Sequence, residues 1–196
     1  MSELLNVCTT ALTHAGLAWN DVSTGAAQSL AYTAAWEGMT LLKNDGTLPL
    51  SSKKSVAMIG PWANATTQMQ GNYQGIAPYL MSPLMAAQAE FSSVHYAMGT
   101  AINTTNTTGY PAAISAAKAA DVIVFAGGID VSIESEGHDR PSIVWPQGQL
   151  DLIQQLSELG KPLVVVSSNA RDHPNDVADS VGRSNSAAVR STTLRC

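Results

Sequence analysis

The sequence predicts an α/β fold: a doubly wound, mainly parallel sheet with helices on both faces. Three observations predict it. The apolar runs VAMIG (56–60), DVIVFAGG (121–128) and LVVV (163–166) are short, continuous and stopped by Gly or Pro or by a change to polar residues, as strands buried on both faces are. Helix-type segments separate them with short connections, which implies right-handed crossovers. At 196 residues and 45% hydrophobic content, the chain can bury the core of one domain or slightly more.

The elements follow in order. Residues 1–22 carry a weak apolar pattern that ends in the turn-like WNDVSTG, and they read as a linker or the remnant of a preceding domain. Residues 26–43 read as one helix, with Ser23 or Thr24 as cap and Leu30, Ala34, Ala35, Leu41 and Leu42 at helical spacing; Trp36 on it reads as a core residue. Asn44, Asp45 and Gly46 stop it, and LPLSS leads into the first parallel strand. The following WANATTQMQGNYQGIAPY lacks a helical period and reads as a long functional loop. A helix over 80–91 and a strand over 93–98 come next. Pro111 then opens an alanine-rich helix to residue 120, placed where its missing amide proton costs nothing. The central strand follows, and Pro146 opens a helix over 147–159 with Leu150, Ile153, Leu156 and Leu159 on one face, closed by Gly160. From residue 167 to 196 large apolar residues almost vanish, so this tail reads as disordered and foreign to the domain at 23–166. A shifted reading frame, a retained intron or an alternative end would produce such a change.

Composition excludes several function classes. A net charge of −5 offers no basic patch for phosphates, which argues against nucleic-acid binding and against anionic membranes. Charged residues are only 13%, about half the usual share, leaving a surface rich in Ser, Thr and Asn that suits a secreted or carbohydrate-facing protein. No apolar run reaches the roughly 18 residues of a membrane span, and MSELLNVCTT lacks the basic and apolar regions of a signal peptide. Three sequons, at Asn64, Asn103 and Asn106, nevertheless favour a secretory ancestry. Cys8 and Cys196 show no metal-type spacing, and His138 has no second His at ligand distance in sequence, so neither metal nor cofactor is expected. After the first strand, GPWANA lacks the glycines of a dinucleotide fingerprint, which sets a Rossmann-type function aside.

The loop after the central strand, IDVSIESEGHDR, is where chemistry is expected. Asp130, Glu134, Glu136 and Asp139 place four of the chain's 15 acids in ten positions. Loops leaving the carboxyl ends of parallel strands are where such sheets bind ligands, and crowded carboxylates are where one can become a proton donor. Asp139 and Arg140 read as a loop-fixing ion pair or cap. Trp62, Tyr73 and Gln74 read equally as a sugar-binding wall or as loop packing.

The ordered series EGMTLLKNDGTLPL (37–50), VAMIGPWAN (56–64), GNYQG (71–75), GGIDVSIESEGHDR (127–140) and WPQGQLDLI (145–153) resembles the C-terminal α/β sandwich domain of glycoside hydrolase family three, within it the fungal β-xylosidases. The resemblance covers about residues 20–166. It implies a two-domain active site, in which a barrel supplies a nucleophilic aspartate and the sandwich supplies the acid/base carboxylate. It matches Glu134 to that acid/base, with Glu136 as the alternative two residues on. The substrate implied is a xylo-oligosaccharide or aryl β-xyloside, and the parent enzyme is implied to be secreted. Since the barrel is absent from this sequence, the chain is expected to be a fragment inactive alone. The competing reading is a non-catalytic carbohydrate-binding or interaction module.

Overall fold

The computed structural model of the chain describes residues 16–70 and 74–168 in full and the backbone of 186–191. Six strands form one sheet in the order β1-β6-β5-β4-β2-β3: β1 Met39–Lys43, β2 Ser55–Ile59, β3 Ser93–Ala97, β4 Val122–Gly128, β5 Leu163–Ser168 and β6 Ser186–Ser191. β2 to β6 run parallel to one another, and β1 lies antiparallel on the edge against β6.

Strand alternation sorts the core into two layers, as the period of two requires. Ala57, Ile59, Ile123, Phe125, Leu163 and Val165 point to one face, where they pack with α3 (Tyr110–Ala119) and α4 (Gln147–Ser157). Val56, Met58, Val122, Val124, Ala126 and Val164 point to the other, against α2 (Pro83–Glu90) and the buried Trp62, Ala63 and Ala65. Every residue of β4 is buried, which is why its sequence is an unbroken apolar run. The predicted doubly wound architecture is thus the observed one, with its three parallel strands and its helices over 110–119 and 147–157 in place.

Three expectations are corrected. The helix read over 26–43 ends early: α1 is Gly25–Glu37, capped by Thr24 Oγ1 accepting the Ala27 amide at 3.2 Å, and Met39–Lys43 is β1. Leu41 and Leu42 sit at helical spacing by coincidence, and pairing with the distant β6 decides the conformation. Trp36 is not a core residue but 66% exposed, and no residue of α1 is buried. The expected absence of structure over 167–196 fails at two places: Ser167 and Ser168 are buried in β5, and Ser186–Ser191 forms β6 between β5 and β1. Backbone ladders on both sides hold β6, so its strand needs no run of large apolar residues. The rest of that tail, and most of the linker read over 1–22, lie outside the described residues.

Candidate active site

β2 pairs with β3 on one side and β4 on the other, so the chain reverses its direction of winding between β2 and β4. At such a switch point the loops leaving the two strands diverge and open a crevice. Here those loops are Gly60–Pro61–Trp62 onward and the acidic loop after Gly128.

The strand ends are fixed by close backbone approach. Gly60 has φ +108, and a Cβ there would lie 2.2 Å from Ala126 O; Gly128 has φ +135, and a Cβ there would lie 2.0 Å from Ser168 O. Beyond Ile59 and Phe125 the β2–β4 ladder ends. Trp62 N–H then donates to Ala126 O at 3.0 Å. The next free peptide on that side, Gly128, is taken by the side-chain amide of Gln149. Its Oε1 accepts the Gly128 N–H at 2.9 Å, and its Nε2 donates to Gly128 O and to Ile102 O, both at 2.8 Å. A glutamine with no exposed surface therefore stands in for the strand that has turned away, and it ties the root of the acidic loop to the sequon loop. Nothing in the sequence reading singled out Gln149. Its signal was there: Gln149, Leu152, Ile153 and Leu156 follow the i, i+3, i+4, i+7 stripe of α4, and a polar residue on such a stripe needs partners.

The loop itself is built from two turns. Asp130 Oδ1 accepts from the Ser132 amide at 2.9 Å and its hydroxyl at 2.5 Å, while Asp130 O accepts the amides of Ile133 and Glu134 at 3.0 and 3.1 Å. Ser135 and His138 then exchange both backbone hydrogen bonds, at 2.9 and 3.0 Å, across a two-residue turn whose left-handed position is Gly137 (φ +74). This turn folds the chain back and sets Arg140 beside Glu134, with Nε 3.0 Å from Oε2; the side chains are 8% and 30% exposed. Arg140 thus pairs with Glu134, whereas adjacency in sequence had suggested Asp139, which is exposed along with Glu136 and His138.

The other candidates separate. Trp62 is 1% exposed in the core, and its indole N–H has no partner among the described residues, so it forms no open wall on this chain. Gln74 is exposed, and Tyr73 lies outside the described residues. The three sequon asparagines are exposed. Asn64 Oδ1 accepts from the Ser82 hydroxyl at 3.0 Å, and Asn106 Oδ1 accepts the Thr108 amide at 2.9 Å within its own sequon. Among the described residues no group of three or more His, Cys, Asp or Glu is placed to hold a metal ion, and no helix is long and apolar enough to cross a membrane.

A doubly wound sheet with a carboxylate-bearing loop at its switch point is the architecture of a ligand-handling α/β domain. Residues 39–189 match the glycosyl hydrolase family 3 C-terminal domain, and the chain belongs to that family. It is 58% identical over 170 residues to a probable exo-1,4-beta-xylosidase of Aspergillus terreus, covering 83% of this chain and 21% of the relative. A second probable exo-1,4-beta-xylosidase, from Neosartorya fischeri, is 60% identical over 150 residues, or 76% of this chain and 20% of the relative. Among solved structures, a family 3 exo-beta-xylosidase in complex with a xylobiose aziridine activity-based probe superposes with a TM-score of 0.85 at 48% identity, over 93% of this chain and 24% of that one. A family 3 beta-glucosidase of Bifidobacterium adolescentis gives 0.76 at 28% identity, over 98% and 28%. The chain spans about a fifth of the length of the curated relatives it matches.

Proposed function

We propose that this chain is a piece of a retaining exo-acting β-xylosidase and carries the acid/base carboxylate, Glu134, but not the nucleophile. The observation that carries the reading is the placement of Glu134: on a loop leaving the switch point, partly exposed, and held against a nearly buried guanidinium. Support comes also from the identity of 58–60% to proteins named as exo-xylosidases. In the first step Glu134 protonates the departing glycosidic oxygen while an aspartate from a preceding barrel attacks the anomeric carbon. In the second, the same carboxylate takes a proton from the water that releases the sugar. Gln74 and Tyr73 are proposed to contribute to the sugar site once the barrel closes over it, while Trp62, buried in the core, supports the loop from beneath. Asn64, Asn103 and Asn106 are proposed glycan sites of a secreted parent enzyme that degrades xylan.

Assayed alone, the chain should turn over no aryl β-xyloside, because protonation without a nucleophile leaves the oxocarbenium-like transition state unsupported. Placed in a full-length enzyme, Glu134→Gln should depress hydrolysis by roughly 10² to 10⁴-fold. The amide oxygen still accepts from Arg140, so the substitution removes the proton and spares the contact. The loss should shrink for substrates with good leaving groups, and azide should restore turnover by attacking the glycosyl-enzyme without base assistance. If Glu136→Gln behaves this way while Glu134→Gln stays active, the assignment moves two residues along the loop.

A further inference from the structure

We propose that Arg140 is the positioning residue of the acid/base carboxylate, fixing which oxygen of Glu134 faces the substrate; this rests on the assignment of Glu134 above. The geometry carries it. Arg140 engages Oε2 of Glu134 through Nε at 3.0 Å. One oxygen is thereby anchored, and in the proposed role the other carries the proton. The anchor is itself immobilised, because the Arg140 side chain is 8% exposed and a guanidinium so covered stays where its acceptors are. The turn closed by Ser135 and His138 makes this possible: it brings together two residues six apart in sequence that an extended loop would separate by about 20 Å. A glutamate on a surface loop otherwise samples several rotamers, and holding it in one converts a diffusing acid into a placed one.

The test uses a full-length exo-β-xylosidase in which residues 39–168 of this chain replace the homologous segment, carrying Arg140→Ala, Arg140→Lys, Glu134→Gln and the double variants. Arg140→Ala should lower kcat about 10 to 100-fold on xylobiose, a poor leaving group, and only a few-fold on a dinitrophenyl xyloside, with KM little changed. In the Glu134→Gln background, Arg140→Ala should cost less than about two-fold, because a residue that acts through Glu134 has nothing left to position. Arg140→Lys keeps the charge but not the Nε geometry and should fall between, so it carries the test where Arg140→Ala lowers the melting temperature. Equal losses on both substrates, or the same loss with and without the Glu134 carboxylate, would show a merely structural arginine and overturn the proposal. Full activity of Glu134→Gln would instead remove the underlying assignment, whatever the Arg140 variants did.

Discussion

Replacing Gln149 with Leu tests whether a side-chain amide really completes the sheet. Leucine fits the volume and suits the apolar stripe of α4, so a helix-centred view expects a neutral or stabilising change. The structure predicts the opposite. Leucine leaves the Gly128 N–H, Gly128 O and Ile102 O without the partners they have at 2.8 to 2.9 Å, in a region with no exposed surface at residue 149. Each buried peptide group left unpaired costs about 1–3 kcal/mol, so two or three of them together cost about 3–6 kcal/mol. That is a large part of the 5–15 kcal/mol typical of a domain. Equilibrium urea unfolding, followed by the fluorescence of the buried Trp62 and Trp145, reads the difference as a lower midpoint at unchanged slope. Amide exchange at Gly128 should accelerate by at least tenfold. A loss below 1 kcal/mol would refute the account of Gln149 as a surrogate strand.

The same strand end is equally demanding toward β5: Gly128→Ala should destabilise by more than about 3 kcal/mol, since φ +135 suits only glycine and the new Cβ would meet Ser168 O at 2.0 Å, again read by urea unfolding. Lys161 caps the C-terminus of α3, its Nζ donating to Ala117 O at 3.1 Å, Lys118 O at 2.7 Å and Ala120 O; Lys161→Met should lower stability by about 1–2 kcal/mol, read by the same urea unfolding. The Ser55 amide and hydroxyl, donating to Asp121 Oδ2 at 2.9 and 2.8 Å, hold the Asp121 carboxyl below its ordinary value. A folded-state value below the unfolded one stabilises the fold above the ordinary carboxylate range and is lost as pH falls through the lowered value, so Asp121→Asn should flatten the acid limb of stability against pH; an unchanged limb would count against the contact.

What was legible in the sequence is what local burial dictates. β2, β4 and β5 are central, covered on both faces, and so announce themselves as apolar runs; α4 shows its stripe for the same reason. What was not legible depends on partners far away in the chain. β1 is a strand because it pairs with β6, Met39 with Ser191 and Leu41 with Val189, and β6 because it pairs with both β1 and β5, and neither MTLLK nor SAAVRS contains that fact. The two tryptophans make the same point. Trp36 lies on an exposed helix, while Trp62, on a loop, is covered because its backbone is bonded to Ala126 and its ring drops into the layer of α2. In the site, the carboxylates were visible as a cluster, but the pairing of Arg140 with Glu134 required a turn to be closed, and sequence adjacency pointed to Asp139.

The exposed side of α1 fits the proposal that this chain is a piece of a larger enzyme. Leu30, Tyr32 and Trp36 on the helix are 66–76% exposed, and Met39 and Leu41 on the adjoining β1 are 51% and 55% exposed. Single exposed apolar residues mean little, but a helix with no buried residue at all has no packing reason to form where it does. The buried layers, by contrast, lie under α2, α3 and α4, and the site loops leave the carboxyl ends of β2 and β4. The sheet therefore supports its acidic loop from within, through Gln149, Gly128 and the Arg140 pair. It leaves α1 and most of β1 exposed. In the proposed parent enzyme the remaining four-fifths of the chain would cover them, the same portion that would bring the nucleophile to Glu134. Restoring it should protect Trp36 from solvent quenchers and confer turnover together.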